Sequence, residues 1–212
     1  MDDILRHRAE TVIKVLEEVY PDARCSLEYK EPYQLLIATR LSAQCTDARV
    51  NMVTPALFER FPSIEAFAEA EIGDIEPYIR SCGLYHTKAE SIRDMCRALM
   101  DMGGTLPDTV EELTRLPGVG RKTANLLVGD VYGKPAIVCD THCIRICGRL
   151  GLTTSKDPLK TERELREILP PDKSSDLCHR LVMFGRDTCT ARKPDCEHCP
   201  LRTRLDGYVC RT

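Results

Sequence analysis

Apolar side chains in this chain recur at three- and four-residue spacing almost throughout, and no stretch shows the strict alternation of a half-buried strand. The backbone is therefore expected to be almost entirely helical, with no need of strands and with an irregular, cysteine-rich tail from Arg186 onward. Ile4, Val12, Val15, Leu16 and Val19 trace a first amphipathic helix that stops at Pro21-Asp22. Pro32 opens a second, carrying Leu35, Leu36, Ala38 and Leu41 toward Gln44. Val50, Val53 and Leu57 mark a third, broken at Phe61-Pro62-Ser63 before a short acidic helix with Ile64 and Phe67. Thr87-Lys88-Ala89-Glu90 reads as a capping box for a helix through Ile92, Met95, Cys96 and Leu99, with Gly103-Gly104 ending it. Another helix is expected from Pro107-Asp108, interrupted at Leu116-Pro117-Gly118-Val119-Gly120 and resuming at Arg121. Three more follow: from near Asp140 to Gly151, around Leu165 and Ile168 up to Pro170-Pro171, and around Leu177, Leu181 and Phe184 up to Gly185.

The 212 residues suffice for one large domain or two small ones, and 42% hydrophobic with 30% charged side chains describes a globular chain, not a disordered or collagen-like one. The opening Met1-Asp2-Asp3-Ile4-Leu5-Arg6 lacks a basic region followed by an apolar one, and no apolar run approaches the roughly 18 residues that span a bilayer. A cytoplasmic protein, or a nuclear one in a eukaryote, with no membrane partner is expected. In that compartment twelve cysteines point to metal binding or core packing before disulfides. A net charge of −3 excludes a surface coated in positive charge, yet a local basic face is enough to hold nucleic acid.

Pro117 cannot continue a helix, and Gly118 and Gly120 are free to take positive φ and to let another backbone approach. A turn of this kind shows main-chain N–H groups at a helix N-terminus, where the dipole favours a phosphate oxygen without reading sequence. The same residues also suit a plain helix–turn–helix corner with no ligand. Leu41-Ser42-Ala43-Gln44 with Thr46-Asp47, Gly83-Leu84-Tyr85, Leu116 to Lys122, Val138-Cys139-Asp140-Thr141-His142 and the terminal cysteine block resemble, in order, the motifs of the endonuclease III family of helix-hairpin-helix DNA glycosylases. The resemblance covers nearly the whole chain.

That resemblance implies an all-α, two-lobed fold: a helical barrel-like domain over residues 25–133, and a second domain from 1–24 plus 134–212 with a cysteine-rich loop at 189–212. It implies a bifunctional DNA glycosylase and AP lyase of base excision repair that removes oxidised pyrimidines from duplex DNA, binds abasic sites and acts as a monomer, associated with the nucleoid in a prokaryote. The damaged nucleotide would be everted between the lobes, with Lys122 as nucleophile and Asp140 opposite it. An amine attacking C1′ expels the base and leaves a Schiff base that supports β-elimination on the 3′ side. Lys122 must lose its proton to attack, which desolvation beneath the nucleotide and the neighbouring Arg121 would favour. Asp140 also stands where a helix N-cap belongs, so electrostatic stabilisation and capping are both expected of it. Gly118, Val119, Gly120 and Arg121 would grip the phosphate backbone, and Gln44 and Leu84 would fill the gap left by the everted base. Without the resemblance, Gln44 reads as a helix C-terminal residue and Leu84 as an inward-packed one. The rivals are an adenine mismatch glycosylase of the same superfamily, disfavoured because Lys122 is present, and a non-catalytic helix-hairpin-helix DNA-binding module, disfavoured by the Lys122 and Asp140 pair.

Cys189-x6-Cys196-x2-Cys199 resembles the start of the family's [4Fe–4S] loop, but the position usual for the fourth cysteine is Leu205, and the next cysteine is Cys210. Cys210 is the provisional fourth ligand; His198 or Asp206, a labile iron site, a zinc site or no cluster are the alternatives. From Cys189 onward five basic residues (Arg192, Lys193, Arg202, Arg204, Arg211) face three acidic ones (Asp195, Glu197, Asp206), a local +2 able to face phosphates. Cys139, Cys143 and Cys147 are spaced by four, placing the outer two about 12 Å apart along a helix, too far for one small metal site. They are expected to be small core residues, as are Cys25, Cys45, Cys82, Cys96 and Cys178. His142 is expected either to orient Asp140 or simply to cap or pack.

Overall fold

A computed structural model describes residues 2–205 and 210, and among them helices and turns are present with no strand. The helices are α1 (Asp2–Val19), α2 (Pro32–Leu41), α3 (Asp47–Arg60), α4 (Ile64–Glu69), α5 (Ile72–Ile79), α6 (Tyr85–Asp101), α7 (Val110–Leu113), α8 (Arg121–Asp130), α9 (Thr141–Arg149), α10 (Pro158–Ile168) and α11 (Ser174–Asp187). Internal contacts divide the chain into two units, Cys25–Tyr132 and Met1–Arg24 with Gly133–Thr212. No helix among the described residues is long and apolar enough to cross a membrane.

In the Cys25–Tyr132 unit, short polar caps set where helices start. Glu31 and Gln34 form a reciprocal capping box before Pro32, the Thr46 hydroxyl accepts from Arg49 N–H at 3.3 Å, and the Ser63 hydroxyl accepts from Ala66 N–H at 3.2 Å. Helix α6 packs along α4 and α5, while α2 packs on α3, α6 and α8. The core between them is largely aliphatic, with Leu35, Ile37, Ile75, Ile79, Ile92 and Leu99 fully buried alongside Phe61 and Phe67, whose rings lie 5.0 Å apart and tilted by 33°. The second unit wraps α1 onto α10 and α11, and α11 onto α9, burying Val12, Leu16, Ile146, Leu165, Leu177 and Phe184. Arg180, nearly buried on α11, reaches Glu17 of α1 at 3.6 Å.

Several boundaries differ from the sequence expectation, each for a local reason. Helix α6 starts at Tyr85, before the expected box at Thr87, because Gly83 and Leu84 both take positive φ and turn the chain there. Helix α7 starts at Val110, later than Pro107, because Thr109 caps it by accepting from Glu112 N–H and donating to the Glu112 carboxylate at 2.8 Å. Helix α11 runs through Gly185 to Asp187; a Cβ on Gly185 would collide with His142 Nδ1 and lie 2.9 Å from the Arg145 guanidinium, so this glycine permits close packing of α11 on α9 and does not end the helix. Ile4 and Val19, expected on the buried face of α1, are 66% and 44% exposed near its two ends. Cys25 and Cys45 are half-buried, not core residues.

Candidate active site and cysteine-lined cavity

Leu116 and Val119 are buried and pin the turn between α7 and α8, with Val119 N–H donating to the Leu116 carbonyl at 3.1 Å. Only one of the two hairpin glycines takes positive φ. Gly118 has φ 74°, and an added Cβ would sit 2.9 Å from Ser91 Oγ on α6; Gly120 is extended, with φ −88° and open space around it. Having no side chain, Gly120 leaves the first turn of α8 without a side-chain cap, so the positive end of that helix faces outward at Arg121 and Lys122. Arg121 and Lys122 are both exposed. Val119 belongs to the fabric of the turn, since its side chain is buried and its N–H engaged.

Asp140 is the N-cap of α9: its backbone is extended, and Oδ1 accepts from Cys143 N–H at 2.8 Å. The side chain is half-buried, held by a short bond to a rigid helix. The cap reading is therefore met, and it fixes the carboxylate's direction without removing its second oxygen from use. His142, in the first turn of α9, packs under Gly185 and has its Nδ1 3.3 Å from the Arg145 guanidinium.

Gln44 and Leu84 share one unusual property. Among the described residues they are the two with side chains that take positive φ, at 56° and 50°. Each such left-handed residue costs about 1–2 kcal/mol. Gln44 is exposed and Leu84 is 61% exposed, so Leu84 is not packed inward as an isolated reading of it suggests. Strain and an apolar side chain in solvent at one position are two costs with no return inside the chain itself.

Cys189, Cys196, Cys199 and Cys210 line one cavity of about 420 Å³, together with Leu150, Phe184, Leu201 and Leu205. No three His, Cys, Asp or Glu side chains among the described residues stand close enough to close on a single metal ion. Four thiols around a larger, mostly apolar space instead suit a polynuclear group. Burial, and then the thiols of Cys189, Cys199 and Cys196, push the Cys210 thiol up to about 11, against a smaller lowering by the Arg149 guanidinium. Leu205 fills the wall at the position where the family's fourth cysteine usually lies. His198 does not line the cavity; it is exposed and pairs with the Asp195 carboxylate at 2.9 Å. Asp206 and Arg211 lie outside the described residues.

Sequence reasoning missed two basic residues on α9 that hold this loop. Arg149 donates to Cys189 Sγ at 3.3 Å and to the carbonyls of Thr190 and Ala191, and Arg145 donates to the Cys189 carbonyl at 2.9 Å. Their four-residue spacing on one helix face was the available signal. A fourth thiol also joins the α9 group: Cys143 is hydrogen-bonded with Cys139, Cys147 and Cys178, and these contacts with burial push its thiol well above the ordinary range. Thiol-to-thiol bonds at the centre of a core explain that group without a metal.

Comparison with known proteins adds the following. Residues 37–171 match the HhH-GPD superfamily base excision DNA repair protein family, and residues 189–204 match the iron-sulfur binding domain of endonuclease III. An endonuclease III of Synechocystis sp. is 44% identical over 198 residues, covering 92% of this chain and 90% of that protein. The one from Bacillus subtilis is 41% identical over 194 residues, covering 91% and 89%. A trapped endonuclease III–DNA covalent intermediate superimposes with a TM-score of 0.87 at 41% identity, covering 92% of this chain and 93% of that one.

Proposed function

Since this chain belongs to the endonuclease III family within the HhH-GPD superfamily and is a base excision repair DNA glycosylase and AP lyase, we propose that Lys122 is its nucleophile and Asp140 its electrostatic partner. Lys122 attacks C1′ of the damaged nucleotide: the Nζ–C1′ bond forms, the C1′–N bond to the base breaks, and the base leaves with its electron pair, to be protonated. The C1′–O4′ bond of the resulting aminal then breaks as Nζ gives up its proton and O4′ takes one up, leaving an imine that acidifies C2′–H, and loss of that proton expels the 3′ phosphate oxygen by β-elimination. Asp140 stabilises the positive charge that develops on the sugar as the base departs, a role for which a carboxylate held on a helix cap needs little reorganisation. Oxidised pyrimidines in duplex DNA are the substrate class in this reading, because an everted, weakly paired base lowers the cost of extrusion.

Duplex DNA is held through the Gly118 to Arg121 turn, whose outward-facing helix terminus suits a phosphate, with Val119 securing the turn from beneath. Gln44 and Leu84 enter the stack in place of the everted nucleotide. What carries this reading is their shared strained backbone with exposed side chains, an arrangement that costs stability and is repaid only on binding. In the C-terminal block, which is an iron–sulfur binding domain, Cys189, Cys196, Cys199 and Cys210 would hold a [4Fe–4S] cluster. Such a cluster supplies a covalent cross-link between distant parts of the loop, and the lysine chemistry requires no electron from it.

Duplexes containing thymine glycol, and separately an abasic site, test the assignment with borohydride trapping. The wild-type protein should excise, nick and form a trapped adduct; Lys122→Gln should keep its thermal midpoint and lose the adduct entirely. Trapping that survives in Lys122→Gln removes Lys122 from the role, and adenine removal without nicking would favour the mismatch glycosylase instead.

A further inference from the structure

Lys88 is a lysine in the wrong place for a surface charge. It is 2% exposed on α6, one turn past Leu84. Buried ammonium groups are rare because desolvation is costly, and they persist only where strong acceptors meet them. Here Lys88 Nζ donates to the Leu41 carbonyl at 2.8 Å and to the Cys82 carbonyl at 2.9 Å. Leu41 is the last residue of α2, and Cys82 is the last of the single 3₁₀ turn Arg80–Cys82 that follows α5. Both carbonyls therefore belong to C-terminal turns, which lack intrahelical partners and carry partial negative charge. Lys88 supplies the missing donor and the complementary charge to both at one atom.

The two carbonyls are also placed tellingly in the chain. Leu41 precedes Gln44 by three residues and Cys82 precedes Leu84 by two, so one ammonium joins the roots of the two segments whose residues adopt the left-handed conformation. Neither segment is helical at the strained residue; local bonds such as Cys45 N–H to the Ser42 carbonyl and Gly83 N–H to the Arg80 carbonyl close each turn, and the Cys45 thiol is hydrogen-bonded with that of Cys82. We propose that Lys88 is a positioning residue, whose buried ammonium fastens the segments bearing Gln44 and Leu84 to each other and so presets both side chains for insertion into the DNA stack. The inference rests on the reading of Gln44 and Leu84 given above. Preset geometry matters because misplacement by about 1 Å costs on the order of 10²-fold in rate.

The test compares two substrates: a thymine glycol duplex, which demands eversion, and a single-stranded oligonucleotide with an abasic site, which demands only the amine. Lys88→Met keeps the side-chain length and removes the donors. It should lower kcat on the duplex by about 10- to 100-fold while borohydride trapping on the single strand stays within about twofold. In a Gln44→Ala/Leu84→Ala background the same substitution should cost nothing further, since nothing remains to position. Equal loss on both substrates, no loss on the duplex, or full additivity with the double variant each overturns the inference. Full duplex excision by the double variant alone sinks the reading of Gln44 and Leu84 and the inference with it; loss in the double variant with none in Lys88→Met sinks the inference alone. Should Lys88→Met not fold, amide hydrogen exchange on the unaltered chain decides. Equal protection of segments 42–45 and 82–85 supports one shared fastening, and protection differing by more than about tenfold refutes it.

Discussion

At the scale of single residues, structural and chemical roles can be separated by choosing substitutions that spare one of them. Asp140 caps α9 through Oδ1, and asparagine caps a helix as well as aspartate does. Asp140→Asn should therefore leave the thermal midpoint in place and slow excision, whereas Asp140→Ala should slow excision and also cost about 1 kcal/mol in denaturant unfolding. Unchanged excision in the Asn variant would remove any role for the charge. Leu84 makes the opposite case: it is exposed and left-handed, so Leu84→Gly relieves strain and should raise stability by up to about 1 kcal/mol while impairing excision from duplexes. Equilibrium unfolding and single-turnover excision on one preparation measure both. The identities of Gln44 and Leu84 were legible only through the motif order, and their backbone strain was not legible at all, because φ is not written in residue type once glycine is excluded. Lys88 went unmarked for a related reason: a lysine in a first helical turn carries no sign of burial until tertiary contacts put acceptors around it.

At the scale of elements, the hairpin offers a contrast between two glycines two residues apart. Gly118 is left-handed and would press a Cβ to 2.9 Å from Ser91 Oγ, so Gly118→Ala should destabilise by about 1–2 kcal/mol and weaken DNA retention. Gly120 is extended with open space, so Gly120→Ala meets no clash or strain, and because alanine is a poorer N-cap than glycine it should cost less than about 1 kcal/mol. Thermal melts of the two variants check the pair, and equal losses would contradict the conformational argument. Helix existence was readable from apolar spacing almost everywhere, since burial of one face is what makes a short helix stable. The ends were less so. Thr87 and Pro107 look like starts by composition, but Leu84 and Thr109 act as caps because the preceding turn and a reciprocal bond with Glu112 fix the chain there. Gly185 looks like a stop and is a packing site, a distinction that depends on His142 and Arg145 of another helix.

At the scale of the whole molecule, the cysteine block is held by side chains of its own unit. Arg145 and Arg149 of α9 grip the backbone at Cys189 to Ala191, and the cavity walls include Leu150 and Phe184. Anaerobically purified Cys210→Ser should retain less iron and lose visible cluster absorption; full retention would pass the fourth position to another group. Stripping the cluster should expose residues 189–205 to proteases while amides in Cys25–Tyr132 keep their protection, as hydrogen exchange would show. The unit containing that block is also discontinuous in the chain. Helix α1 settles on α10 and α11, and Arg8 reaches the carbonyl of Gly151 at a separation of 143 residues. During synthesis, then, α1 leaves the ribosome before α10 and α11 and waits with its apolar stripe unsheltered, while the helices of the contiguous Cys25–Tyr132 unit follow one another closely. Ribosome-stalled chains ending near residue 170, with the Cys25–Tyr132 unit clear of the exit tunnel and α11 not yet made, should hold a protease-resistant middle and a cleavable beginning, so the order of birth and the order of folding are reversed for the first 24 residues.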